Sequence, residues 1–212
     1  MVSIILCTYN RASLLPRAIT SVLNQTYTDI ELIIIDDGST DRTSAVVNKF
    51  RNKDKRIHYF FQQNKGLAKA RNAGLRKARG YYITFVDSDD EYDGSHIEKR
   101  VHYMIAHPSV DMIHGGMTLL GPRSKHYVLD INTPTKKIHL RHCHVGGTFF
   151  FKRSILAVVK NFKTLPFGED FNFFTRVEQS FTVRKVAYPT YLYHLDSDNR
   201  LCDIFTATME TR

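Results

Sequence analysis

Between residues 2 and 87, segments with the spacing of strands alternate with segments of helical spacing, and no other feature of the chain narrows its fold so far. Residues 2–7 read as a buried strand. Residues 14–23 then place Leu14, Leu15, Ala18, Ile19, Val22 and Leu23 at helical spacing. Ser13 is the expected N-cap, and Pro16 falls in the first turn, where its missing N–H is harmless. Residues 31–35 form a second strand that ends at Asp36-Asp37-Gly38, after which Ser39 or Thr40 is expected to cap a helix running to about Phe50. Residues 57–62 are a third strand, residues 66–78 a helix with Leu67, Ala70, Gly74 and Leu75 facing inward, and the run after Gly80 a fourth strand. Such an alternation predicts an α/β fold, a mainly parallel sheet with helices on both faces and right-handed crossovers. Ligands of these sheets bind beyond the carboxyl ends of the strands. Here those ends are Thr8-Tyr9-Asn10-Arg11, Asp36-Asp37-Gly38 and Asp87-Ser88-Asp89, so three polar clusters are expected on one edge.

The fourth strand runs directly into the acids Asp87, Asp89, Asp90 and Glu91. If strand geometry persists, alternation puts Asp87 and Asp89 on one side. Two carboxylates so placed call for a cation, and hard oxygen ligands suit Mg²⁺ or Mn²⁺. A solvated turn is the alternative reading of any Asp-rich stretch. Asp90 would point the other way and cap the helix that begins after Glu91.

The second part is less regular. Residues 92–107 read as a helix stopped by Pro108, residues 110–120 and 126–131 as strands, and 139–151 as a mixed, extended segment. Residues 154–160 and 169–179 read as helices and 183–194 as strand-like. No internal repeat or linker divides the 212 residues, which predicts a single domain.

Thirty Lys and Arg against 21 Asp and Glu leave a net charge of +9, suited to an anionic partner such as nucleic acid, an anionic membrane face or a phosphorylated small molecule. No nucleic-acid motif is present, and the aromatics lie in apolar segments rather than between basic residues, so nucleic acid is not an expected partner. Cys7, Cys143 and Cys202 show no paired framework, which points to a reducing compartment. No run approaches the roughly 18 apolar residues of a membrane span, and any membrane contact is expected to be peripheral. His139, His142, Cys143 and His144 do not read as a zinc site, because alternation in an extended segment splits them between opposite faces.

Five motifs in series resemble the family-2 glycosyltransferases: Ser3-Ile-Ile-Leu-Cys-Thr-Tyr-Asn-Arg11, Ile34-Ile-Asp-Asp-Gly-Ser-Thr-Asp41, Asn64-Lys-Gly-Leu-Ala-Lys-Ala-Arg-Asn72, Phe85-Val-Asp-Ser-Asp-Asp90 and Gly168-Glu-Asp170. The resemblance covers most of the chain. It implies a GT-A fold, with about residues 1–91 as the nucleotide-binding half and about 92–212 as the acceptor-side half. It also implies an inverting, metal-dependent transfer from a nucleoside diphosphate sugar, most simply a UDP-sugar, to the hydroxyl of a glycan or lipid-linked acceptor. By the same resemblance Asp170 is the base and Glu169 has a supporting or acceptor-binding role, while Asp89 and His194 hold Mn²⁺ or Mg²⁺. Donor contacts fall to Thr8, Tyr9, Asn10, Arg11, Asp36, Lys65, Arg71, Asp87 and Ser88, and the sugar or acceptor pocket to His144, Gly146, Gly147 and Thr148. A cytoplasmic enzyme, peripheral at the inner membrane face, is the implied setting. The sequence ends at Arg212, soon after the His194 loop, so processive polymer synthesis is not expected. A nucleotidyltransferase would need a glycine- and lysine-rich loop that Thr8-Tyr9-Asn10-Arg11 lacks, and a non-catalytic basic membrane- or nucleic-acid-binding module is the remaining alternative.

Overall fold

The computed structural model describes residues 1–131, 133–197 and 200–210. In chain order the first half runs β1 (Val2–Thr8), α1 (Leu15–Leu23), β2 (Ile30–Asp36), α2 (Thr43–Arg51), β3 (Ile57–Phe61), α3 (Leu67–Lys77) and β4 (Tyr82–Asp87). The second half runs β5 (Glu91–Tyr92), α4 (His96–Ala106), β6 (Met112–His114), β7 (Met117–Leu120), β8 (Tyr127–Asp130), β9 (Thr133–His139), β10 (Phe150–Lys152), α5 (Leu156–Val159), α6 (Glu169–Glu178), β11 (Val183–Lys185), β12 (Tyr191–His194) and α7 (Leu201–Glu210).

The large sheet has the order β11-β6-β10-β4-β1-β2-β3. Strands β1 to β4 are mutually parallel, and only β10 runs against its neighbours. The chain moves outward from β1 to β3 and then crosses back to place β4 on the other side of β1. Strand order therefore reverses between β1 and β4, and loops leaving the two strands in opposite directions open a crevice there. Register brings the polar ends together: Thr8 pairs with Asp36, and Cys7 with Asp87.

Alternation sorts the core into two layers, because successive side chains of a strand point to opposite faces. Ile4, Leu6, Leu32 and Ile34 pack with Leu15, Ile19 and Val22 of α1 and Val101 of α4. Ile5, Ile33 and Ile35 pack on the other face with Ala70 and Leu75 of α3 and with Phe173 and Val177 of α6. Both faces of the parallel strands are covered, which is why they read as near-continuous apolar runs. At Gly74 a Cβ would overlap Ile5, so only glycine allows α3 to lie this close to β1.

Several expected boundaries move. Helix α1 is capped at Leu14 without a side-chain bond, and α2 begins after Arg42. Ser13 therefore caps nothing, and Ser39 is drawn away to accept a bond from the Asn10 N–H. Residues 110–120 are two strands, not one: Gly115 and Gly116, at φ 87° and 73°, turn the chain so that β6 joins the large sheet and β7 a separate one of order β5-β12-β7. Residues 183–194 divide in the same way, with β11 in the large sheet and β12 in the small one. Tyr92 lies in β5, and the helix expected from that residue starts at His96. Residues 139–151 are mainly 3-10 turns, and only Phe150 and Phe151 of them join a large-sheet strand.

Candidate active site

A cavity of about 1330 Å³ opens at the carboxyl ends of β1 and β4, where strand order reverses. Of the residues singled out from sequence, Thr8, Tyr9, Asn10, Arg11, Lys65, Arg71, Asp87, Ser88, Asp89, His144, Glu169, Asp170 and His194 line it. Asp36, Gly146, Gly147 and Thr148 do not.

Asp36 is taken up by protein contacts at the end of β2. Asp36 shares a face with Leu32 and Ile34, turned towards α1, and is fully buried. Its carboxylate accepts from the Ser39 N–H at 2.8 Å and from the Tyr59 hydroxyl at 2.7 Å. Asp37 is the residue that reaches the cavity. It accepts from the Gln62 amide at 2.6 Å and from the Lys65 and Gly66 N–H groups at 3.0 and 2.8 Å. Which of the two adjacent acids reaches the cavity is set by how the end of β2 packs against the loop that leads into α3, and residue types alone do not show it. Asn10 adopts φ 51° and its side-chain oxygen accepts from the N–H of Thr40 at 2.8 Å, which ties the loop after β1 to the loop after β2.

Arg71, on α3, is 2% exposed and is not on a solvated helix face. Its guanidinium donates to Asp170, to Glu169 at 3.1 Å and to Asp87 at 3.3 Å. One guanidinium thus joins carboxylates from β4 and α6. Burial works against its charge, but the three acids outweigh it and hold Arg71 above its ordinary pKa. Asp170 and Asp87 feel the reverse imbalance, because carboxylates crowded around one cation ionise at a cost. Burial pushes Asp170 up to about 7 despite the pull of Arg71, with Glu169 and Asp87 adding repulsion. Asp87 is raised for the same reason, burial outweighing Arg71.

Asp170 sits in the first turn of α6, and its Oδ2 accepts from the Gly146 N–H at 2.8 Å. A Cβ at Gly146 would stand 2.6 Å from the other carboxylate oxygen. The neighbouring Gly147 leaves room for the Tyr191 hydroxyl, which a Cβ would overlap. The two glycines were expected to let backbone approach a sugar, but the space they leave is filled by Asp170 and Tyr191. Thr148 is buried as well, its hydroxyl donating to the Val145 carbonyl at 2.7 Å and accepting from the Gly115 N–H at 3.1 Å. His144 does face the cavity, stacked on Phe174 with ring centroids 3.7 Å apart, and burial lowers its pKa.

The acid cluster is not an extended strand. β4 ends at Asp87 and a turn follows, closed by the Asp90 N–H on the Asp87 carbonyl at 3.1 Å. Asp87 and Asp89 therefore share the cavity through that turn and not through alternation. Asp90 is 2% exposed and caps no helix. Its carboxylate accepts from the Tyr191 hydroxyl at 2.7 Å and from the His194 N–H at 2.8 Å, and burial lifts its pKa far above the usual range.

Asp89 and His194 supply one carboxylate and one imidazole at the cavity wall. Among the described residues no group of three or more His, Cys, Asp or Glu could hold a metal ion. Two side chains nevertheless fit Mg²⁺ or Mn²⁺, because such ions are commonly held by one or two protein groups, substrate phosphates and water. Among the described residues Asp89 Oδ2 accepts the Ser197 hydroxyl, at 3.0 Å, and the carboxylate has further acceptor capacity for a cation. Asp198 and Asn199 lie outside the described residues.

A model of the family described as "Glycosyl transferase family 2" matches residues 3–160. An "Uncharacterized glycosyltransferase" of Haemophilus influenzae is 39% identical over 179 residues, 82% of this chain and 70% of its own length. Among solved structures, S. aureus TarS 1-349 in complex with UDP-GlcNAc is similar with a TM-score of 0.78 at 22% identity, over 94% of this chain and 60% of that one. The mannosyltransferase PcManGT from Pyrobaculum calidifontis in complex with GDP-Man and Mn²⁺ is similar with a TM-score of 0.73 at 19% identity, over 93% of this chain and 58% of that one. At these identities the two structures show the shared fold, the GT-A arrangement. This chain spans about three-fifths of the length of each.

Proposed function

The chain belongs to glycosyl transferase family 2, and from that premise we propose that it moves a sugar from a nucleoside diphosphate sugar, most simply a UDP-sugar, to an acceptor hydroxyl by a single inverting displacement. One observation carries the reading: acids from both halves of the chain, Asp87 and Asp89 on one side and Glu169 and Asp170 on the other, meet in a single crevice at the switch point of the sheet. A UDP-sugar and a GDP-sugar with Mn²⁺ are bound in structures of the same fold, which supports the donor class.

In this reading Asp170 is the general base. A carboxylate whose pKa is lifted to about 7 is well matched to removing a proton at neutral pH. The acceptor oxygen gives its proton to Asp170 as it forms the bond to the anomeric carbon, and the bond from that carbon to the diphosphate breaks on the opposite face. Gly146 holds one carboxylate oxygen through its N–H, and Glu169 shares Arg71 with the base. Thr8, Tyr9, Arg11, Lys65 and Asp37 wall the donor end, with Asp37 taking the place expected of Asp36. Asp89 and His194 would hold Mn²⁺ or Mg²⁺. Such an ion, when bound, neutralises charge on the leaving diphosphate.

The acceptor is a glycan or lipid-linked hydroxyl compound in this proposal, and the setting is cytoplasmic with peripheral contact to an anionic membrane. The net charge of +9 supports that contact, and among the described residues no helix is long and apolar enough to cross a membrane. Liposome sedimentation without binding would remove it.

Calorimetry of UDP and GDP with Mn²⁺, with Mg²⁺ and with EDTA tests the donor site. Metal-dependent binding of one nucleotide, lost in Asp89→Ala, is the expected result. No nucleotide binding under any metal condition would overturn the proposal.

A further inference from the structure

We infer that Glu91 is a positioning residue for the metal site, holding the His194 imidazole in a single tautomer and orientation. The inference rests on the donor-site reading above. Strand β5 runs antiparallel to β12 with Glu91 opposite Leu192, so His194 is the diagonal neighbour two residues further along, within reach of a long side chain. His194 Nε2 lies 2.7 Å from Glu91 Oε1. A carboxylate can only accept, so in the neutral imidazole the proton is on Nε2 and the lone pair on Nδ1. Among the described residues Nδ1 has Asp196 Oδ1 as its neighbour at 3.6 Å, beyond hydrogen-bond distance, which leaves that lone pair open to a ligand.

The surroundings of Glu91 are built to keep it there. Arg17 reaches towards its carboxylate at 3.9 Å through Nε and donates through Nη2 to the backbone carbonyl of Asp89. One arginine thus bridges Glu91 and the chain segment of the other candidate ligand. Asp90 fixes the backbone of His194 from below, and Ser197 fixes one oxygen of Asp89. Each of the two candidate ligands therefore has its own supporting contacts. A histidine that binds a metal through one ring nitrogen and donates the other N–H to a carboxylate is a recurring arrangement that sets the tautomer and raises ligand basicity.

The test uses Mn²⁺ binding in the presence of UDP, followed by the electron paramagnetic resonance of free Mn²⁺, together with ring ¹⁵N shifts of His194 in metal-free protein. In the wild type, ¹⁵N shifts should report the tautomer with hydrogen on Nε2. Glu91→Leu should mix the tautomers and weaken Mn²⁺ binding by about 10–100-fold. Glu91→Gln, which keeps an accepting oxygen of the same reach, should retain the tautomer and lose less affinity. Circular dichroism confirms that each variant is folded. Wild-type Mn²⁺ affinity and tautomer in Glu91→Leu, with affinity lost in His194→Ala, would overturn this inference alone. Unchanged Mn²⁺ affinity in both His194→Ala and Asp89→Ala would overturn the metal-site reading on which it stands.

Discussion

The two halves of the molecule position their functional side chains by different means. In residues 1–91, backbone register does most of the work: parallel pairing of β1 with β2 and β4 brings Thr8, Asp36 and Asp87 to one edge, and side-chain bonds such as Tyr59 to Asp36 add to an alignment already set by the backbone. In residues 92–210 most strands have three or four residues and they are divided among three sheets, and buried side chains act as pins. Asp90 and Gly147 seat Tyr191, Arg71 and Gly146 seat Asp170, and the Asn72 side chain receives and donates bonds at Phe162 at 2.8 and 2.9 Å. A site held by register tolerates the loss of one side chain, whereas a site held by pins should shift when a single pin is altered.

The largest effect should come from the group pinned between the halves. Asp170→Asn is expected to lower kcat by about 10²–10⁴-fold while UDP affinity is kept, because an amide of the same shape cannot take the proton. Steady-state rates set beside calorimetry check this, and retained turnover would sink the assignment of the base. Gly147→Ala forces a methyl group onto the Tyr191 hydroxyl and should cost about 1–3 kcal/mol of stability. Gly74→Ala, which overlaps Ile5 between α3 and β1, should cost a similar amount. The two differ in consequence: Gly147→Ala should also weaken metal-dependent UDP binding through Tyr191, Asp90 and Asp87, and Gly74→Ala should leave it intact. Urea denaturation paired with calorimetry separates them, and equal effects on binding would break the comparison.

The pH profile offers a smaller and sharper test. Burial lifts Asp170 to about 7, and only its ionised form can act as base. The sign follows directly: kcat/KM should fall roughly tenfold for each pH unit below that value and level off above it. The limb should vanish from the residual activity of Asp170→Asn. The smallest effect belongs to the register-held half. Tyr59→Phe removes one hydrogen bond to Asp36 and should cost about 0.5–1.5 kcal/mol in urea denaturation, with UDP affinity unchanged. A loss of UDP affinity in that variant would return Asp36 to the donor site.

Residues 1–87 were legible because apolar period, glycine and turn chemistry act over a few residues, and the order of strands and helices follows from them. At Asp36 the strand end was read correctly, and the choice between two adjacent acids was left to packing. The glycine-marked breaks at residues 115–116 and the division of residues 183–194 were hidden, because an apolar run does not say which of two sheets each end will join. The roles of Asp90 and Glu91 were hidden for a related reason: their partners, Tyr191 and His194, lie about a hundred residues away and are found only through the pairing of β5 with β12.

By itself, then, the sequence determined the α/β class, the edge at which polar groups gather and the residue types available there, since all of these rest on local periodicity. Only the tertiary structure decided that Arg71 is buried among three carboxylates, that Asp37 and not Asp36 faces the cavity, and that two glycines make room for protein groups and not for a sugar. Those outcomes depend on which segments pack against each other, and packing is a property of distances between residues far apart in the chain.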